Sequence, residues 1–462
     1  MPTCSYEGCG REVYRGSEKC IFHTERKAPQ EFRAAMTEET GLWDRQGRSW
    51  DFTGWVFVAD ESEGPPRMRK FVRFYGWRCT KDVSFAKAKF LADANFNKAE
   101  LKGKADFREA EFHHGAWFEN ATFGRSAQFE RAVFKSVSFK YATFHEEAAF
   151  RGAILKSDVD LSYTFFERVG DFSHARVAGH VKLVWPGAGQ TYDEKGNAYP
   201  PGTVVLDDIQ FPKLDDGSHG RLDLRNNALR DGANLLLCNT NMSRVLVEGT
   251  DCRLIKFKNA EWPEYKEKRH AARRIVADEY FLRECPSVLG EGVPSWDSIA
   301  VTYQQLVARY RKDLDHPVAN DFERGIFEAR LESAKVKGLW QYRLLLGTYK
   351  LLSDFSGSIL RPIWWTLLLT AICGFFYGHL LYAGHWAWPW HTELPLVCKS
   401  AATALRIVTL DRGLIIREIG DSDGNEARLF WVSLVAAIQI IITAILITLL
   451  VFSVRRRFKH TE

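Results

Sequence analysis

Near the start of the chain, Cys4, Cys9, Cys20 and His23 form a C-x4-C-x10-C-x2-H series interrupted by Gly8, Gly10 and Gly16. Three soft thiolates and one imidazole are the donor set of a closed tetrahedral zinc site, and a loop-rich module this small has too little apolar surface to fold without such a cross-link. No fifth acidic or histidine partner stands with them, so the spacing predicts a structural zinc ion with no open catalytic position. The competing arrangement is four unligated side chains in a frayed terminus. Elsewhere the reactive residue types do not gather. The sequence has no phosphate-cradling loop, nucleophile elbow or His-x-Glu metal pair, and no enzyme is expected. His113 and His114 read as surface residues, and Cys238 and Cys252 as packing residues. Glu323, Arg324, Glu328 and Arg330 share a stretch rich in both signs of charge, which favours surface ion pairs over paired-carboxylate chemistry.

Beyond the cysteine module the chain is repetitive, and repetition outranks other sequence cues. Large apolar residues stand at Phe85, Phe90, Phe96, Leu101, Phe107, Phe112, Phe118, Phe123, Phe129, Phe134, Phe139, Phe144, Phe150, Leu155, Leu161, Phe166 and Phe172, five or six residues apart. An eleven-residue period also fits a right-handed coiled coil, since eleven residues close three helical turns. The residue two places earlier decides between them: Ala88, Ala94, Ala99, Ala105, Ala110, Ala116, Ala121 and their successors are small. In a helix, positions two apart point to nearly opposite sides, whereas in extended backbone they share a face. The small and large residues are therefore expected on the inside of an extended, wound chain.

This pattern resembles the pentapeptide-repeat family, whose motif of Ala, then Asp or Asn, then Leu or Phe stands here as Ala94-Asn95-Phe96 and Ala105-Asp106-Phe107. The resemblance implies a β-solenoid, the right-handed quadrilateral β-helix of that family. The sixth residue in alternate repeats has to bulge at a corner, giving about 22 residues per coil instead of the family's usual 20 or so. Short Cys and His knuckles precede the repeats in some proteins of this family. Some members are acidic rods that mimic DNA; the ten Lys or Arg and nine Asp or Glu between Phe85 and Phe150 argue against that role here. No nucleic acid is expected as a partner.

A length of 462 residues allows two to four domains, and a net charge of +5 demands no polyanionic partner. The nine cysteines are scattered. With no charged segment leading into an apolar one at the start, the bulk of the protein is expected in the reducing cytoplasm. Five regions are read from the text: a zinc-knuckle-like module over 1–27, a helical and capping segment over 28–70, the β-solenoid over 71–262, a helical linker over 263–354 and a transmembrane domain over 355–462. Phe52 and Phe57, again five apart, start or cap the solenoid. A Gly- and Pro-rich excursion interrupts it over about 185–211. The spacing becomes a strict five at Leu237, Met242, Val247, Cys252, Phe257 and Trp262. Beyond Pro263 the apolar period is helical, with Ser295 as an N-cap.

Two helices, over about 363–381 and 430–454, are long and apolar enough to cross a membrane. Arg361 precedes the first, and Arg455, Arg456, Arg457 and Lys459 follow the second, which places both termini in the cytoplasm of a cell bounded by an inner or plasma membrane. The linker and the two helices together resemble the linker and two-helix ion-channel-like domain of bacterial proteins. Cys398–Leu410 then occupies the place of a re-entrant pore helix, or else forms an amphipathic surface helix. Asp411 and Arg412 stand where a potassium filter would be, which puts potassium selectivity in doubt. The pore candidates are Arg406, Asp411, Arg412, Gln439 and Thr443. Two spans enclose no water path alone, so a channel requires a homo-oligomer. The expectation is a homo-oligomeric, ion-channel-like membrane protein whose cytoplasmic solenoid senses a signal or binds a protein partner. The alternative is a membrane-anchored interaction scaffold that conducts nothing.

Overall fold

The computed structural model describes residues 2–58, 71–184, 203–212, 220–227, 234–266, 272–289, 293–382 and 426–458. Two compact units are present, one of Met1–Tyr265 with Arg273–Asp315 and one of Lys266–Ala272 with His316–Glu462.

In the first unit the five- and six-residue spacing becomes a β-solenoid with four faces. Starting at Val83, the chain lays down the short strands Val83–Ser84, Lys89–Phe90, Asp93–Asn95 and Glu100–Leu101, then returns to the first face as Ala105–Asp106. Each strand pairs in parallel with the strand one coil on, and the registers Val83 with Ala105, Ala105 with Ala127 and Ala127 with Ala148 give coils of 22, 22 and 21 residues. The two extended-chain periods are thus both satisfied: Ala94, Ala105, Ala116 and Ala127 are buried together with Phe96, Phe107, Phe118 and Phe129. Four stacks of apolar side chains run down the inside. In one, Phe52, Phe85, Phe107, Phe129, Phe150 and Phe172 lie with successive ring centroids 4.8, 5.0, 4.9, 4.8 and 4.5 Å apart. Offset stacks of this kind add to the stabilisation from area alone.

The alternation of five and six has a structural cause, because the four corners are of two kinds. At the five-residue corners a four-residue turn closes, for example with the Ala88 N–H donating to the Phe85 carbonyl at 3.0 Å. Its third residue has positive φ, as at Lys87, Lys98, Glu109, Asn120, Arg131 and Tyr141. The Asp or Asn of the motif serves this corner: Asp106 Oδ1 accepts from the Arg108 N–H at 2.9 Å, and Asn95 Oδ1 from the Asn97 N–H at 3.0 Å. That side-chain turn is the local reason for an Asx residue before the large one. The six-residue corners lie between, and Gly103 stands at one of them, where an added Cβ would come within 2.3 Å of the Lys81 backbone. One coil lacks the sixth residue. Its strand Val133–Ser138 pairs with Glu111–Trp117 through a register shift between Phe112 and Gly115, where His113 and His114 stand against the single residue Lys135 and both are exposed.

The solenoid begins earlier than Phe71. Trp50–Asp51 pairs with Val83–Ser84, and Val56–Phe57 with Lys89–Phe90, so Phe52 and Phe57 head two of the inner stacks. Within the stretch read as an excursion over 185–211, Thr203–Asp207 is a strand of the first face, paired with Val169–Asp171 and Asn234–Cys238. It carries alternating burial at Val204 and Leu206, with no aromatic to reveal it. The strict-five segment makes a 20-residue coil, Leu235 pairing with Ile255, and Met242, Val247 and Cys252 are fully buried.

Both ends of this stack are closed. Helix α1, Pro29–Arg45, opens on a proline at its first turn and sets Phe32 and Trp43 over Phe57, Trp55 and Phe52. At the far end, α2 (Ala277–Glu284) and α3 (Trp296–Lys312) cover the last coil. Ser295 caps α3, its side chain accepting from the Ser298 N–H at 3.1 Å. These helices supply acceptors to backbone that has no further coil to pair with: Asp278 accepts from the N–H groups of Val247 and Glu248 at 2.9 and 3.3 Å, and Gln305 from that of Cys252 at 3.1 Å.

The second unit contains α4 (His316–Val336), α5 (Trp340–Ser353), α6 (Leu360–Tyr382) and a fourth helix, α7 (Glu426–Phe458). Leu331, Leu346 and Phe355 form its inner cluster. Of the charged residues read as a surface set on α4, Arg330 is exposed and Glu323 half-buried, but the other two are not on the surface. Arg324 and Glu328 are buried, and Arg324 donates to Asp354 at 2.9 Å across the turn that ends α5. The mixed signs gave no hint of this, because the partner lies 30 residues further on.

Candidate metal centre and membrane helices

The four residues of the N-terminal series come together. Their donor atoms all lie within 4.8 Å of one another, so the cluster could hold a metal ion. The edges of the cluster are informative. Cys9 Sγ lies 3.8 Å from Cys20 Sγ, and Cys4 Sγ lies 3.5 Å from His23 Nδ1. A tetrahedral ion bound at about 2.3 Å to sulfur and about 2.0 Å to nitrogen requires edges of about 3.8 and about 3.5 Å. The Cys20 to His23 edge, at 3.2 Å, is tighter.

Local geometry explains why these side chains converge. Cys4 and Cys9 lie on one loop, its ends tied by the Cys4 N–H to Arg11 carbonyl bond at 2.9 Å, while Cys20 and His23 share a turn in which the His23 N–H bonds the Cys20 carbonyl. The His23 ring stacks on Tyr6 at 4.0 Å. Burial holds that imidazole down to about 4, against a hydrogen bond that the ring donates to the Thr53 backbone, so it is neutral and free to ligate through Nδ1. Burial pushes the Cys20 thiol up to about 11. Burial also works to raise Cys4, but backbone hydrogen bonds from Cys20 and Tyr6 outweigh it and leave that thiol below its ordinary value. A dication is what ionises such a set together.

The module is joined to the first coil. The Val56 N–H donates to the Phe22 carbonyl at 2.7 Å, and Phe22 stacks on Trp55 at 3.9 Å. Gly54, at positive φ, lies where any side chain would collide with the Tyr6 ring. Neither contact was foreseeable from spacing, although the Trp55-rich run marked the place.

Leu360–Tyr377 in α6 and Phe430–Arg455 in α7 are long and apolar enough to cross a membrane, with mean hydropathies of 1.3 and 2.8. Only 22% and 17% of the residues in these stretches are buried, which separates them from the core helices of a soluble protein. The polarity is inverted. Val432, Ala436, Gln439, Thr443, Leu446, Leu450 and Ser453 recur at four and three residues along the covered side of α7, a heptad seam with polar members. Tyr377 donates its hydroxyl to Gln439 Oε1 at 3.0 Å inside that seam, where both are fully buried. The outward sides carry Trp364, Leu367, Leu368 and Phe375 on α6, and Ile438, Ile441, Ile445 and Val451 on α7. Of the five residues singled out for a pore, Gln439 and Thr443 are therefore buried in the helix pair. Arg406, Asp411 and Arg412, with the whole 398–410 stretch, lie outside the described residues.

Coils of parallel two- and three-residue strands wound on four faces, with one small and one large apolar side chain turned inward from each, define a β-solenoid. Residues 74–122 and 118–165 match the family model of pentapeptide repeats, so this part of the chain is a pentapeptide-repeat solenoid. Comparison with curated proteins and with solved structures gave no match.

Proposed function

We propose that the chain is a membrane-anchored scaffold: a pentapeptide-repeat solenoid, closed at its start by a zinc-bound knuckle, that offers its outer faces to a protein partner while α6 and α7 hold it at the bilayer. The observation that carries this reading is the inverted polarity of the helix pair. Gln439, Thr443 and Ser453 are turned into the seam while large apolar side chains such as Trp364, Leu367, Ile441 and Ile445 face outward, which suits lipid. The basic residues Arg361 and Arg455 to Arg457 favour the cytoplasmic side for the solenoid. Zinc is the metal that three thiolates and an imidazole at these edge lengths favour, and with four protein donors it has a structural role. No catalytic role is assigned.

A homo-oligomeric, ion-channel-like assembly is the second reading. One feature favours it: Ser433, Ala437, Ala444 and Thr448 are exposed along one side of α7, a strip of small residues on which helices of separate copies pack closely. The two readings part in reconstituted vesicles. The scaffold gives no ion flux. Flux that is lost on Arg412→Ala with assembly intact overturns it.

A further inference from the structure

We infer that α5 is an interfacial helix that lies on the bilayer surface, its apolar strip set into the boundary between acyl chains and anionic headgroups; the inference rests on the reading of α6 and α7 as membrane spans. At 100° per residue Trp340, Leu344, Gly347 and Leu351 fall within a strip of about 60° on one side of α5. Three of them are large, apolar and exposed, at 68%, 65% and 57%, and Gly347 faces open space. The opposite side, with Leu346 and Ser353, is the one that packs into the unit. A soluble helix turns its large apolar side chains inward; α5 does so at Leu346 but leaves this strip, together with Tyr342 and Leu345, exposed.

Charge and position select the occupant. The helix Trp340–Ser353 contains no acidic residue, while Arg343 and Lys350 flank the strip and Lys335 and Lys337 precede it. Cations beside an exposed Trp and Leu strip are the pattern of a helix lying in an anionic interface, where long basic side chains reach outward to headgroups. The last turn of α5 is fastened to the first turn of α6. The Trp365 indole donates to the Leu351 carbonyl at 3.2 Å, and the Arg361 guanidinium donates to the Lys350 carbonyl at 3.2 Å. Trp365 and Arg361 are the aromatic and basic residues that mark the entry of the span, so α5 ends at that level, where α6 leaves Trp364, Leu367 and Leu368 exposed.

The test uses the full chain in nanodiscs of phosphatidylcholine and phosphatidylglycerol, with a photocrosslinking side chain placed by Leu344→p-benzoylphenylalanine, by Ile441→p-benzoylphenylalanine on the outward side of α7, and by Leu346→p-benzoylphenylalanine on the covered side of α5. Adducts are read by mass spectrometry. The expected result is lipid adducts at 344 and 441, with their loss at 346. Lipid adducts at 441 with none at 344, or a crosslink from 344 to a second copy of this chain, overturns the inference and leaves the membrane reading standing. No lipid adduct at 441 removes the membrane reading and the inference with it.

Discussion

Phe118 lies fully buried near the middle of the solenoid, its ring stacked on Phe96 at 4.8 Å and on Phe139 at 4.9 Å, with Phe107, Phe112 and Phe129 edge-on at 5.7, 6.2 and 5.8 Å. Phe118→Ala removes the ring from a site that cannot collapse, because backbone ladders fix the coil on four sides, and should cost about 3 to 5 kcal/mol. Phe118→Leu keeps most of the volume. Leucine is what the same stack uses two coils on, at Leu161. The cost is then about 1 kcal/mol for repacking plus about 1 kcal/mol for each lost stacked pair, about 3 kcal/mol in all. Phe139→Leu loses one stacked pair, that with Phe118, since its other stack neighbour is already Leu161, and with edge-on neighbours similar in number to those of Phe118 it should cost about 1 kcal/mol less. Hydrogen exchange by mass spectrometry on the full chain in micelles reads these as local opening free energies, a tenfold loss of protection for each 1.4 kcal/mol or so. In a stack where each coil touches only its neighbours, protection should fall most over Ala105–Phe144 and little over Ile255–Lys258. Equal effects of the two leucine substitutions, or a loss spread evenly to the last coil, would refute the stacked-ring reasoning.

Other perturbations act at the ends and in the spans. Cys20→Ser should take bound zinc, measured by elemental analysis, from one per chain to none, and should raise exchange over Trp50–Phe57 while leaving Asn234–Lys258 unchanged. Asp278 is fully buried, and burial, joined by Glu248, pushes its carboxyl up to about 7 from 3.8 against the backbone donors and Arg225. Between those values the unfolded chain has released a proton that the folded chain keeps. The far cap should therefore weaken as pH rises from about 4 through 7, by on the order of 4 kcal/mol, and level off above; Asp278→Asn should flatten that slope in thermal melts. Gln439→Leu and Tyr377→Phe should each destabilise the helix pair by about 1 kcal/mol in a double-mutant cycle, the two effects being far from additive.

How far the sequence disclosed this structure differs from feature to feature. The inner residues were legible because extended backbone turns alternate side chains to opposite faces, so Ala94 and Phe96 declare a buried side on their own. The clustering of Cys4, Cys9, Cys20 and His23 was legible because thiol and imidazole side chains at such spacing have few other reasons to gather. The corners were half hidden. Asn120, Gly152, Asn226 and Gly249 are natural at positive φ, but Lys87, Glu109, Arg131 and Tyr163 hold the same conformation. Those residues prefer other backbone states, and they are held by the ladder, as where the Glu109 N–H donates to the Glu130 carbonyl at 2.9 Å. At the far cap the helices and the Ser295 cap were legible from the change of period, but their contacts with the last coil were not. Asp278, Gln305 and Tyr303 act on groups 24 to 53 residues away, and nothing in the text near them announces that.

The two ends of the solenoid face one physical problem and solve it by different means. An open coil exposes both an apolar core and a row of unpaired backbone groups. At the start, the cover over Phe52 and Phe57 includes a loop module with few apolar residues of its own, and a metal can supply the cohesion that burial does not. At the far end, the cover is helical, and its cohesion comes from burial around Glu279. That carboxylate, itself fully buried, accepts from Arg273 at 2.7 and 2.9 Å, from Arg283 at 2.8 Å and from the Tyr303 hydroxyl. Burial works to raise it, and the two guanidinium groups outweigh that and keep it ionised below its ordinary value. Removing one member strands a buried charge, so this cap yields as a unit. The N-terminal module instead brings four donor atoms on two short loops within 4.8 Å of one another, so a metal ion could add to its closure. If either end of the rod is to respond to the cell's supply of metal, it is the one that begins at Cys4.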